Sequence, residues 1–299
     1  MSELGDFVGK GIRVVSQTPI LGDKLVNGQF RRFFEKVEPH WICPPQFQWQ
    51  KVVSTHASCQ MEWLMPLDVE SDKVVLQLHG GGYQGHMRNA YRDFAVKYSQ
   101  MTGGCVLSVD YRVAPEDPYP AALQDALTGY TWLLDRNMDP SKIYVTGDSA
   151  GGGLALALAM YLRDHGMPIP AGLILMSPWT DLDCQGASYQ TNFEVDPLFG
   201  KHGNSLIFDN PYPGEHDRRD PYISPLYGNY TGLPRMLFQV GDQEMLLDDS
   251  ICAAQKASKA GVEVSLTIYE GMFHVFQLSS GRIPEVASAW NEVQQFLHR

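Results

Sequence analysis

Three short strings in this 299-residue chain carry residue types that suit nucleophilic chemistry. The first is Gly147-Asp148-Ser149-Ala150-Gly151, of the form G-x-S-x-G, which follows the β-rich run Ile143–Thr146 and opens a small-residue helical stretch, Ala150–His165. A serine there must stand on a tight strand-to-helix turn in a strained backbone conformation. Side chains at 147 and 151 would collide with neighbouring elements, so both positions are glycine. The turn lifts the Ser149 hydroxyl above the sheet and aims a helix N-terminus at the same point, where the dipole favours a forming negative charge. Without a strand before it and a helix after it, the five-residue pattern would be no more than a glycine-rich loop containing a serine.

The second string is His79-Gly80-Gly81-Gly82, directly after the strand-like run Lys73–His79. Successive glycines let a backbone approach a ligand and aim its N–H groups there. Attack on an ester turns a carbonyl oxygen into an anion, and its donors must already be in place. The expected donors are the N–H groups of Gly81, Gly82 and Ala150. His79 is expected to brace the loop and not to act as a base. No lysine and no G-K-[ST] follows, so the glycines are not a phosphate loop.

The third string supplies a base. The setting of G-x-S-x-G puts the acid and then the histidine downstream of the serine. Outside the far C-terminus, four histidines follow Ser149: His165, His202, His216 and His274. His165 closes a helical pattern and reads as a cap, and His202 and His216 lie in a polar stretch and read as solvated. His274 lies in Glu270-Gly271-Met272-Phe273-His274, between the last strand and the last helix, where sites form in such sheets. The acid belongs in the loop after the preceding strand, which holds Asp242 and Glu244. Either carboxylate can hold an imidazolium, and their chemistry alone does not separate them. Asp248 and Asp249 suit the first turn of the next helix.

The elements that must position these residues follow from hydrophobic periodicity. Strands are predicted at Gln50–Ser54, Met61–Met65, Lys73–His79, Cys105–Asp110, Ile143–Thr146, Leu173–Met176, Met236–Val240 and Val264–Tyr269. The first two, separated by the short turn Thr55–Gln60, form an antiparallel hairpin. The continuous apolar runs of the later ones suit strands buried on both faces. Helices are predicted at Asn89–Thr102, Ala121–Arg136, Ala150–His165, Leu247–Ala260, capped by Gly261, and Pro284–His298. This alternation specifies an α/β fold with a mostly parallel sheet flanked by helices. Two stretches break the rhythm. Residues 1–45 are helical in part, with a good pattern at Leu25–Val37. Residues 182–222 are rich in Gly, Pro, His and Asp with interspersed aromatics. A long aromatic-bearing insertion of this kind reads as a lid or cap over a site.

Composition narrows the function classes. With 23 basic and 34 acidic residues, the formal net charge is -11, a field that repels phosphate backbones and anionic lipid. Nucleic-acid partners are not expected. Five scattered cysteines form no C-x-x-C pair, so neither a zinc site nor a redox motif is indicated. They suit reduced thiols in a cytosolic protein. No apolar run is long enough to span a bilayer, and the acidic start of the chain does not read as a signal peptide, so a cytoplasmic location without membrane insertion is expected.

Taken together, His79–Gly82, Gly147–Gly151 and Gly271–His274 resemble the motifs of the hormone-sensitive-lipase-like (family IV) bacterial esterases. Asp110–Glu116, Tyr119–Ala122, Ser177–Leu182 and Asp220–Leu226 resemble further stretches of that family. The likeness covers about residues 48–298. It implies an α/β-hydrolase fold with an eight-stranded, mostly parallel sheet and a helical cap: 1–45 and 182–222 as cap, 46–181 and 223–299 as catalytic core. It also implies no metal or cofactor, and often a homodimer. In much of the family the acid is the Asp of a D-P-L-x-D string. Here Glu244-Met245-Leu246-Leu247-Asp248 occupies that place, so Glu244 is preferred to Asp242. The segment Asp196–Arg219 does not match the family's cap segments.

The expected function is hydrolysis of small, short-acyl carboxylic esters by Ser149, His274 and Glu244 through an acyl-enzyme. The nearest alternative is an amidase, lactonase or deacetylase on the same triad. A non-catalytic receptor on this fold is remote, because such a protein should lack a histidine at 274.

Overall fold

The computed structural model describes residues 2–16, 38–52, 59–200, 205–279 and 281–299. Leu25–Val37, most of the turn Thr55–Gln60 and His202 lie outside them. One eight-stranded sheet runs β1 (Phe47–Val52), β2 (Gln60–Pro66), β3 (Val74–Leu78), β4 (Cys105–Asp110), β5 (Ile143–Asp148), β6 (Gly172–Met176), β7 (Arg235–Gly241) and β8 (Val264–Tyr269) along the chain. Its spatial order is β1-β2-β4-β3-β5-β6-β7-β8. β1 and β2 form the expected antiparallel hairpin, β2 pairs antiparallel with β4, and every other pair is parallel.

Alternation along the strands divides the core in two. Val74, Leu76, Leu107, Val109, Val145, Leu173 and Phe238 face one side. There they meet α3 (Ala121–Leu134), α4 (Ser149–Asp164) and α7 (Leu247–Lys259). Val75, Val106, Tyr144, Ile174 and Leu237 face the other side, where α2 (Asn89–Thr102) and α8 (Pro284–His298) close the layer. Helix α2 buries Tyr91, Phe94, Ala95 and Tyr98, spaced as one face of a helix, and Phe94 meets Trp290 of α8 edge-on at 4.8 Å. The central strands, covered on both sides, are the continuous apolar runs of the sequence.

Helix α1 (Glu3–Ser16) is tied to α8, with the Ser2 N–H and hydroxyl both donating to the Glu285 carboxylate at 2.6 and 2.7 Å. Between β6 and β7 the described part of the insertion carries only two single helical turns, α5 (Ser188–Thr191) and α6 (Ser205–Phe208). Its Leu182, Tyr189, Phe199, Ile207 and Tyr212 join the same apolar cluster as α3, α4 and α7. Because β3, β5, β6, β7 and β8 are parallel, the loops leaving their carboxyl ends open on one edge of the sheet. Those loops carry Gly80–Gly82, Ser149, Ser177, Glu244 and His274.

Candidate active site

The turn between β5 and α4 has the predicted strain: Ser149 is a non-glycine residue at φ 52°. A Cβ on Gly147 would overlap the Gly151 carbonyl, and one on Gly151 would overlap the Leu78 and His79 carbonyls. Helix α4 thus presses its backbone against the end of β3. Ser149 is 6% exposed, and its carbonyl accepts the Trp179 N–H at 2.8 Å.

Two hydrogen bonds orient the glycine loop. The Gly80 carbonyl accepts from His79 Nδ1 at 2.7 Å, and the Gly81 carbonyl accepts the Gln84 and Gly85 N–H groups at 3.0 and 2.9 Å. In a trans peptide the N–H points opposite to the C=O, so the Gly81 and Gly82 N–H groups turn the other way. Neither has a backbone acceptor among the described residues. The Ala150 N–H lies in the first turn of α4, where no intrahelical acceptor exists. His79 therefore braces the loop, as its sequence context suggests. Its ring stacks on Tyr111 at 4.0 Å, and Nε2 lies 3.5 Å from Asp110 Oδ1. Burial pushes the Asp110 carboxyl up, but the nearby His79 and hydrogen bonds from His86 and the Met87 N–H outweigh it and hold it well below its ordinary value.

Asp148 joins this loop to the serine turn. Its Oδ1 accepts the Gly80 N–H at 3.0 Å and its Oδ2 accepts the Tyr91 hydroxyl at 3.1 Å. Burial without a cation in contact pushes its carboxyl up to about 6.

His274 and Glu244 meet: Nδ1 lies 2.8 Å from Glu244 Oε2, with the histidine side chain 3% exposed and the glutamate fully buried. An ionised carboxylate only accepts, so Nδ1 is the donor and Nε2 keeps its lone pair. Nε2 is buried and has no hydrogen-bond partner among the described residues. Glu244 Oε1 accepts from Ser177 Oγ at 2.7 Å and from the Gly241 N–H at 2.6 Å. Ser177 Oγ in turn accepts the Val275 N–H at 3.2 Å, so one serine ties the acid to the residue after the histidine. Asp242 does not reach His274; its Oδ1 accepts the Gly271 N–H at 2.6 Å.

The insertion holds the acid loop from above. Asn192 Nδ2 donates to the Asp242 and Glu244 carbonyls at 2.9 and 2.8 Å. Asp196, fully buried, accepts the Met245 N–H at 2.8 Å, and Phe199 packs its ring 4.6 Å from that of His274. Sequence reasoning gave Ser177, Asn192 and Asp196 no role. Asp249 sits in the first turn of α7 as expected but does more: buried, it accepts the Thr180 and Asp181 N–H groups at 2.7 and 2.8 Å. His165 caps α4, and exposed His216 lies edge-on to Tyr119 at 4.9 Å.

Residues 75–278 match the family model described as the alpha/beta hydrolase fold. The chain is 37% identical over 245 residues to an acetyl-hydrolase of Streptomyces hygroscopicus, covering 82% of this chain and 81% of that protein. The structure of the esterase EstE5 soaked with p-nitrophenyl butyrate is similar with a TM-score of 0.88 at 36% identity, over 99% of this chain and 98% of that one. An esterase from the bacterial hormone-sensitive lipase family gives 0.87 at 34% identity, over 99% and 98%. The chain belongs to the α/β-hydrolase fold family, among the bacterial hormone-sensitive-lipase-like esterases, and is a serine hydrolase of the carboxylesterase class. Among the described residues no helix is long and apolar enough to cross a membrane.

Proposed function

We propose that this enzyme hydrolyses small, short-acyl carboxylic esters through Ser149, His274 and Glu244, with an acyl-enzyme on Ser149. One observation carries the assignment: His274 is held at Nδ1 by Glu244, while its Nε2 is buried and unpartnered among the described residues. Nε2 takes the Ser149 proton as Oγ attacks the ester carbonyl. The oxyanion is held by the N–H groups of Gly81, Gly82 and Ala150, with the α4 dipole behind them. His274 returns the proton to the leaving alcohol, water attacks the acyl-enzyme, and the same base serves again. Glu244 orients the ring and stabilises its charged form, because two other donors, Ser177 Oγ and the Gly241 N–H, already fix the carboxylate.

The short-acyl preference draws support from the relative named as an acetyl-hydrolase and from the neighbour soaked with a butyrate ester. Segments 1–45 and 182–222 serve as the cap in this scheme. The five thiols, all free, suit a reducing cytoplasm. Replacing Ser149 with Ala should lower turnover of p-nitrophenyl acetate by roughly three or more orders of magnitude at unchanged thermal stability. A folded Ser149→Ala enzyme with ordinary turnover would overturn the scheme.

A further inference from the structure

Among the described residues, the insertion meets the glycine loop at Gly82. A Cβ built on Gly82 would meet Leu206 Cδ1 at 3.0 Å and Cγ at 3.1 Å, so the leucine lies directly against the glycine. Four residues on, buried Asn210 donates from Nδ2 both to the Gly82 carbonyl at 2.8 Å and to the Leu206 carbonyl at 2.9 Å. Its Oδ1 accepts the Tyr212 N–H at 2.9 Å, and the Tyr212 ring stacks on Tyr83 at 3.7 Å. The Leu206 backbone is therefore fastened to the loop that its side chain covers.

On the other side of the site stands Phe199, packed on His274. Its N–H is held by Asp196 Oδ1 at 2.9 Å, while Asp196 Oδ2 holds Met245 next to the acid. The insertion thus places one apolar side chain beside the glycine loop and another beside the base.

Tetrahedral geometry assigns these two neighbours different tasks. Besides Ser149 Oγ, the reacting carbon carries three substituents. Its oxyanion faces the Gly81 and Gly82 N–H groups, and its leaving oxygen faces His274 Nε2, which must protonate it. The acyl carbon takes the remaining direction. Phe199 stands against His274, where the leaving oxygen must be protonated, so of the two apolar side chains it is the one on Gly82 that is left for the acyl chain.

We propose that Leu206 is the specificity-determining residue for the acyl chain: fastened on Gly82 by Asn210, its isobutyl group stops the chain after a few carbons and restricts the enzyme to short carboxylic acyl groups. The inference rests on the Ser149 acyl-enzyme and names what limits its size. An apolar wall discriminates by overlap, and each methylene in such a pocket changes kcat/KM by about tenfold or more.

The test compares kcat/KM for p-nitrophenyl acetate, butyrate and octanoate in the wild-type enzyme, Leu206→Ala and Leu206→Phe. Leu206→Ala should raise the octanoate-to-acetate ratio by about tenfold or more, and Leu206→Phe should lower the butyrate-to-acetate ratio by a similar factor. Should Leu206→Ala not fold, Leu206→Val removes one methylene and should raise the butyrate-to-acetate ratio by up to about tenfold. Ratios unchanged in variants that still hydrolyse acetate would overturn the role of Leu206 and leave the triad standing. A shift confined to the alcohol, seen when acetate esters of different alcohols are compared, would also overturn it. Failure of the triad itself reads out separately, as ordinary turnover by Ser149→Ala.

Discussion

His274 donates a hydrogen bond from Nδ1 to Glu244 Oε2 across 2.8 Å, whereas Asp242, on the same loop, accepts the Gly271 N–H at 2.6 Å. The two carboxylates divide the work. Asp242 clips the loop after β7 to the loop after β8, and Glu244, one methylene longer and three residues past the strand end, reaches the imidazole. The Gly241 N–H on Glu244 Oε1 folds the loop back so that the longer side chain is the one that points inward.

That division predicts unequal effects. Glu244→Ala removes the carboxylate bonded to the base and should lower kcat for p-nitrophenyl acetate by roughly three to four orders of magnitude. Asp242→Ala should cost less than about tenfold in kcat, with most of its effect on thermal stability through one lost hydrogen bond. Steady-state kinetics beside thermal unfolding separates the two, and a severe Asp242→Ala paired with a mild Glu244→Ala would reverse the assignment.

Ser177 is the residue behind the acid. It sits at φ 46°, donates to Glu244 Oε1 at 2.7 Å and accepts the Val275 N–H at 3.2 Å. Ser177→Ala deletes a hydrogen bond to a charged group, worth about 1.5–3 kcal/mol. If that bond holds the acid in place during the reaction, kcat should fall by about ten- to a hundredfold with little change in KM. A Ser177→Ala enzyme that lost stability but kept wild-type kcat would mark the serine as structural only.

Much of this was legible in the chain because it rests on local pattern. Helices Asn89–Thr102 and Pro284–His298 lie where their apolar spacing and the proline place them. Among the described residues, two strand ends depart from expectation by more than one residue, for a tertiary reason. β1 begins at Phe47, not Gln50, because pairing with Pro66, Met65 and Leu64 recruits Phe47, Gln48 and Trp49. β5 runs on through Asp148 because Gly147 and Asp148 still pair with Leu175 and Met176. The serine turn and the glycine loop announce themselves, since their function demands glycines at fixed offsets. The supports do not. Ser177 and Glu244 are 67 residues apart, and Asn210 and Gly82 are 128 apart. A lone serine or asparagine carries no periodicity that would reveal such a partner, so these contacts exist only once the sheet brings its loops together.

Asp148 links the site to pH. Its carboxylate has the Gly80 N–H and the Tyr91 hydroxyl as partners, and His274 and His79 are the groups whose positive charge would lower its pKa. Burial raises its pKa from 3.8 to about 6, so the fold favours the protonated form. The stability this confers is complete below pH 3.8 and is lost as the pH rises through about 6. At about 1.36 kcal/mol per unit, the lost contribution amounts to about 3 kcal/mol. Asp148→Asn preserves the shape: its oxygen can accept the Gly80 N–H and its amide can donate to the Tyr91 oxygen, but it does not titrate. Denaturant unfolding of both proteins from about pH 4 to about pH 8 should show the wild type losing up to about 3 kcal/mol relative to the variant as the pH rises, with most of the divergence complete by neutrality. Parallel stability curves over that range would mean that Asp148 does not titrate between the folded and unfolded states, and the burial argument for it would fail.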